Sequence, residues 1–179
     1  MTLSPFDRKS LMAVGEALEI AEERTADYYK FSSMHWRGHR YDVKTLSALK
    51  REQIIPDAFA LLNKFSMVIE GRGCGINTRD FYLICLQDHK ILEALKRDKE
   101  LGLLPLLVYV FTHELVHIVR FCNFFQRFEV SGKDREKEEA LVHRTTYDIL
   151  KDLTLPRLAY ILESYRDHRI CDMTISYLS

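Results

Sequence analysis

His113, Glu114 and His117 stand in the run His113-Glu114-Leu115-Val116-His117, an H-E-x-x-H pattern. It lies inside a long apolar stretch of helical character, Leu103 to Phe125. On a helix, residues four apart lie one above the other on the same face. Both imidazoles can therefore reach one point, which suits a Zn2+ ion held by neutral His nitrogens. Glu114 follows the first His and can take a proton from a metal-activated water. The competing reading is a helix with two ordinary histidines and a solvated Glu. The surroundings, LLPLLVYVFTHELVHIVRF, argue against it, because ionisable groups on so apolar a helix are costly unless paired or metal-bound.

A catalytic zinc needs a third protein ligand and an open fourth position. Carboxylates follow about twenty residues downstream, in Asp134-Arg135-Glu136-Lys137-Glu138-Glu139-Ala140-Leu141-Val142-His143. Glu136, Glu138 and Glu139 compete for the role, because acids are also favoured at a helix start for electrostatic reasons alone. HELVH followed by EEALVH resembles the gluzincin branch of the zincin-like zinc metallopeptidases, in which HExxH is followed by a Glu-Ala on a later helix. The resemblance spans His113 to His143. It implies His113, His117 and Glu139 as metal ligands, Glu114 as general base and a peptide or protein substrate. It also puts His143 where the family has an Asp that orients a ligand His. A His can do this only through an unprotonated nitrogen facing the ligand.

Such a reaction also needs a donor for the developing oxyanion. Tyr147, one turn past His143, is the first candidate; His168 and His89 are others. Arg120, three residues past His117, can pair with a carboxylate of the DREKEE run and join the two helices. Two alternatives change the ligand set. Cys74, 39 residues before His113 in a Gly-rich segment, is similar to the Cys-then-HExxH order of peptide deformylases, which implies a metal amidohydrolase. A fourth protein ligand, with His143 closing the site, would instead give a non-catalytic, zinc-stabilised interaction protein.

The remaining sequence must position these residues. With 179 residues, 47% hydrophobic and 29% charged, the chain can bury the core of one domain. Lys plus Arg and Asp plus Glu number 26 each, so no overall charge points to nucleic acid or an anionic membrane. The densest local basic run is His35-Trp36-Arg37-Gly38-His39-Arg40, read as a loop anchored by Trp36. The four cysteines form no CxxC pair, and MTLSPFDRKS lacks an apolar signal core. Leu101 to Phe111 is too short to cross a bilayer. These features predict a reduced, cytoplasmic protein, with a regulatory protein partner as a further expectation, since a free cytosolic protease would be hazardous.

Ser4-Pro5 predicts a helix start, with Asp7 in the first turn and a stripe of Leu11, Val14, Leu18 and Ala21 running to about Phe31. Asp42 or Thr45 is expected to cap a short helix, and Pro56-Asp57 to open another over DAFALLNKF. Ser66 to Ile69 and Phe81 to Leu86 read as strands. By the resemblance, one of them is the sheet edge to which an extended substrate adds. The three glycines from Gly71 to Gly75 mark a turn. Asp88 is expected to cap a helix over His89 to Lys96. Helices are then predicted from Arg135 to Leu153 and, past the Pro156 break, from Arg157 to His168, with a strand or docked tail over CDMTISYLS. The expected fold is mostly α with a small β element (α+β), one zincin-like domain over residues 1–179.

Overall fold

The computed structural model describes residues 3–32, 40–70, 76–123, 132–166 and 171–177. In chain order the elements are α1 (Arg8–Tyr29), β1 (Tyr41–Lys44), β2 (Ala60–Glu70), β3 (Ile76–Leu86), α2 (Asp88–Arg97), α3 (Leu103–Cys122), α4 (Lys133–Leu150), α5 (Leu158–Ser164) and β4 (Cys171–Tyr177). Helix predominates and the strands form one sheet in the order β1-β3-β2-β4, an α+β arrangement. β2 and β3 pair antiparallel from Ala60↔Leu86 to Glu70↔Ile76. β1 runs parallel to β3 and β4 parallel to β2.

The segment predicted as a helix after Pro56 is instead the first half of β2. Ala, Leu and Lys are good helix formers, but tertiary burial overrides them here. Leu62 joins Ile84 and Leu86 in the core shared with the helices, while Leu61 joins Leu83 and Cys85 on the opposite face under Leu49 and Ile55. A strand buried on both faces loses its period-two alternation and reads as an unbroken apolar run. The expected substrate edge also moves. Tyr82–Cys85 of β3 is paired on both sides, by β1 and β2. Ser66 of β2 lies between Asp80 of β3 and Tyr177 of β4. The strands at the ends of the sheet are β1 and β4.

α1 starts later than Ser4-Pro5 implies. Asp7 is the N-cap and accepts from the Ser10 N–H at 2.7 Å. Residues before it are drawn away from the helix because the buried Phe6 donates its N–H to the Asp88 carboxylate at 2.9 Å. The buried stripe is Val14, Ala17, Ala21 and Thr25, and Leu11 is exposed. Ala17 and Ala21 are small enough for α1 to pack closely on α3. α1 ends at Tyr29, where Lys30 turns left-handed at φ 58°.

Asp88 is the first residue of α2, after the cap position Gln87. Its carboxylate accepts from the backbone of both Phe6 and Leu46, the latter at 3.0 Å. Gln87 accepts from Ile55 N–H and donates to the Gln53 and Cys85 carbonyls. These two side chains pin the segment between β1 and β2. That segment carries two 3₁₀ turns, the first preceded by Thr45 without a side-chain cap bond, while Asp42 lies within β1.

α3 is the axis of the fold. Every residue from Pro105 to Val119 is buried. It lies within the apolar stretch read from the sequence and extends well past Leu101 to Phe111; by length and composition it could cross a membrane, but it is mostly enclosed within the fold. α1, the core-facing side of the sheet, α4 and α5 all meet it in one core. α4 and α5 are shorter at their C-terminal ends than expected, stopping at Leu150 and Ser164.

Candidate metal centre

His113 and His117 lie on the buried face of α3, both fully enclosed. Their rings meet edge to face, with centroids 4.9 Å apart and planes at 72°. The two Nε2 atoms stand 3.2 Å apart. Glu139 reaches in from α4, with Oε2 3.3 Å from His113 Nε2 and Oε1 3.2 Å from His117 Nε2. Three residues, the donor triangle, thus bring four donor atoms around one space, with each carboxylate oxygen facing one imidazole and the two Nε2 atoms facing each other.

Neighbouring side chains explain why Glu139 and not another acid takes this corner. Arg120, one turn beyond His117, grips Glu138 with both ends of its guanidinium, Nε–Oε1 at 2.5 Å and Nη2–Oε2 at 2.9 Å. Glu138 is buried and committed to that pair. Consecutive helical residues diverge by about 100°, so fixing Glu138 on Arg120 turns Glu139 toward the histidines. Glu136 is exposed. The expected tie between Arg120 and the acidic run is formed, and it sets the rotation of α4.

The Nε2–Nε2 separation and the two Nε2–carboxylate separations, 3.2–3.3 Å, fit a zinc ion. Ligands 2.0–2.1 Å from a tetrahedral metal stand about 3.3–3.4 Å from each other. Octahedral Mg2+ at similar distances would bring neighbouring oxygens to about 2.9 Å and prefers oxygen over imidazole. The protonation states suit a ligand set. Burial lowers the His113 pKa to about 4, and the adjacent Glu139 carboxylate does not restore it. Burial by itself would raise the Glu139 carboxyl, but His113 and His117 outweigh it and hold it well below the usual carboxylate range. Neutral imidazole and ionised carboxylate are the forms that bind metal. Two unprotonated nitrogens facing each other at 3.2 Å repel unless a proton or cation lies between them.

Glu114 is fully buried, contrary to a reading of it as a solvated surface acid.

Among the described residues, His143 makes no hydrogen bond to Nδ1 of either ligand imidazole. The Nδ1 atoms of His113 and His117 are buried without a hydrogen-bond partner among the described residues. His143 Nδ1 instead meets the Tyr109 hydroxyl at 2.8 Å, and that hydroxyl also lies 3.4 Å from the Tyr165 carbonyl. The reason is helical register: Glu139 and His143 share a face of α4, and Tyr109 lies one turn before His113 on α3. The His143 ring comes within 4.6 Å of the His113 ring, centroid to centroid. One donor atom each of His113, Glu139 and His143 fall within 4.8 Å of one another. The tautomer decides its chemistry. If Tyr109 donates to Tyr165, His143 Nε2 carries a lone pair and can bind metal. If Tyr109 donates to His143, Nε2 carries a proton and can donate to a developing charge.

Tyr147 is 39% exposed and stands outside the triangle. It lines a cavity of 390 Å³ with Tyr109, His143, Arg144, Glu163 and Arg166. His89 belongs to another neighbourhood, beside Ile55 and Glu93, where burial lowers its pKa. Cys74, His168 and the basic run His35–His39 lie outside the described residues. Sequence reasoning missed Tyr109; extending the i, i+4 ladder one step back from His113 would have found it. It also missed Arg144 and Arg166, which carry no local signal.

No model of a known protein family, no curated protein and no solved structure matches this chain.

Proposed function

We propose that this protein is a zinc-dependent metallopeptidase with a gluzincin-type site in a zincin-like domain. The observation that carries the reading is the meeting of His113, His117 and Glu139, with the two Nε2 atoms 3.2 Å apart and each facing one oxygen of the Glu139 carboxylate at 3.2–3.3 Å. These three side chains would hold the ion. When bound, zinc supplies an acidified water and a polarised substrate carbonyl. Glu114, next to His113 on the buried helix, would serve as the base that accepts a proton from the attacking water and returns it to the leaving amine. His143, with its Nδ1 hydrogen-bonded to Tyr109, donates from Nε2 to the oxyanion. Arg120 and Glu138 keep α4 in register so that Glu139 stays on the histidines. A peptide or protein is the substrate. A cytoplasmic setting belongs to the same proposal, in keeping with free thiols at Cys85 and Cys122.

A second reading rests on the proximity of His143 to His113 and Glu139. With Nε2 unprotonated, His143 would be a fourth ligand and the zinc a structural one in an interaction protein.

Metal content of tag-free wild type, His113→Ala, Glu139→Ala and Cys74→Ala, read by mass spectrometry, tests the ligand set. The expected result is stoichiometric zinc in wild type and Cys74→Ala, and loss in the other two; loss in Cys74→Ala would favour the deformylase-like arrangement. Cleavage of a mixed peptide pool by the zinc-loaded protein tests the chemistry. Glu114→Gln should keep zinc and lose about 10²–10⁴-fold in rate. Zinc retained by wild type with no cleavage of any peptide would leave the structural reading.

A further inference from the structure

The cavity beside His143 has a charge pattern that the reaction itself does not require. Arg144 on α4 and Arg166 just after α5 both line it. Neither forms an ion pair among the described residues. Glu163 is on the same wall, so two guanidinium groups face one carboxylate and the lining is net positive. The exposed Tyr147 adds a hydroxyl. His143 connects this cavity to the donor triangle: it lines the cavity on one side, and its ring lies 4.6 Å from that of His113 on the other.

Resting on the peptidase reading, we propose that this cavity is a subsite for a substrate carboxylate, held by Arg144 and Arg166 next to the bond to be cut. Guanidinium matches a planar carboxylate with paired, charge-assisted hydrogen bonds. With Glu163 on the wall the lining carries a net charge of about one, which a single carboxylate neutralises and a phosphate dianion would overcompensate. The volume, 390 Å³, is that of a small-molecule site and admits one side chain or a chain end. The carboxylate comes either from an acidic side chain or from the C-terminus of the peptide.

Binding and cleavage by the zinc-loaded protein test this together. Four otherwise identical peptides are compared: one with an internal Glu and an amidated end, one without acidic residues but with a free C-terminus, one neutral and amidated, and one with phosphoserine in place of Glu. Affinity is measured calorimetrically on zinc-loaded Glu114→Gln protein, and kcat/KM on wild type. One carboxylate peptide should bind about tenfold to a hundredfold more tightly than the neutral one, and which one does so identifies the source. Arg144→Gln and Arg166→Gln, both exposed, should remove that advantage and leave the neutral peptide unaffected. Equal binding of all four peptides, tightest binding of the phosphopeptide, or equal weakening of charged and neutral peptides by the variants would overturn the proposal. Arginine-dependent binding without cleavage would keep the subsite and sink the peptidase reading.

Discussion

Zinc should stabilise this fold by joining α3 to α4, and the size of the effect follows from how far its concentration exceeds its Kd. The imidazole nitrogens and the carboxylate already stand at 3.2–3.3 Å from one another, so binding needs little rearrangement. A ligand at a thousand times its Kd that binds only the folded state adds about 4 kcal/mol. For a chain of 179 residues, each kcal/mol moves Tm by roughly 2–4 °C. Wild type should therefore melt about 8–16 °C higher with saturating zinc than with chelator. The assay is calorimetry or thermal circular dichroism with and without zinc, and the informative quantity is the increment. His113→Ala will also lower the metal-free Tm, because it empties a fully buried site. Its increment, and that of Glu139→Gln, should fall close to zero. Glu138→Gln should keep most of the increment despite a lower starting Tm, because Glu138 faces Arg120 and not the histidines. An increment that survives His113→Ala and Glu139→Gln would refute the triangle as the binding site. A wild type that neither binds nor responds to zinc would refute the metal reading outright.

Four further outcomes follow from the packing. Glu138→Ala leaves the Arg120 guanidinium without its partner in a largely enclosed position and should cost about 3 kcal/mol in urea unfolding; the Arg120→Ala, Glu138→Ala double variant should lose less than the sum of the singles. Asp88→Ala strands the N–H groups of Phe6 and Leu46 and should cost about 2–5 kcal/mol, also read by urea unfolding. Burial outweighs those bonds and raises the Asp88 pKa, so the folded state keeps this proton at higher pH than the unfolded chain. Its contribution to stability therefore falls as pH rises from the usual carboxylate value through the raised one, and urea midpoints across that range should show a slope that Asp88→Asn lacks. Burial pushes the thiols of Cys85 up to about 12 and of Cys122 up to about 11, so alkylation at neutral pH, followed by mass spectrometry, should be slow for both until the protein is unfolded.

The elements nearest the site were the most legible in the chain. HELVH on an apolar helix and the acidic helix after it are local patterns, and a 3.6-residue period is a local property. Phe81–Leu86 was readable as a strand for the same reason, through its β-branched and aromatic content. The region from Pro56 to Phe65 misled because Leu61 and Leu62 are buried on opposite faces of the sheet, and that erases the alternation marking a strand.

By itself the sequence determined that His113 and His117 share a helical face, that several carboxylates follow on another helix, and that Arg120 is placed to reach one of them. Tertiary structure decided which carboxylate faces the histidines. Glu138 and Glu139 are neighbours of identical type, and only the Arg120 contact across the α3–α4 interface separates them. It also decided the fate of His143, whose Nδ1 meets a Tyr109 that the chain places 34 residues away. It buried β2 and β3 in the middle of the sheet rather than at its edge. Local chain geometry fixes which way a side chain points from its own helix or strand. The atoms it meets there are set by packing between segments that adjacent sequence does not specify.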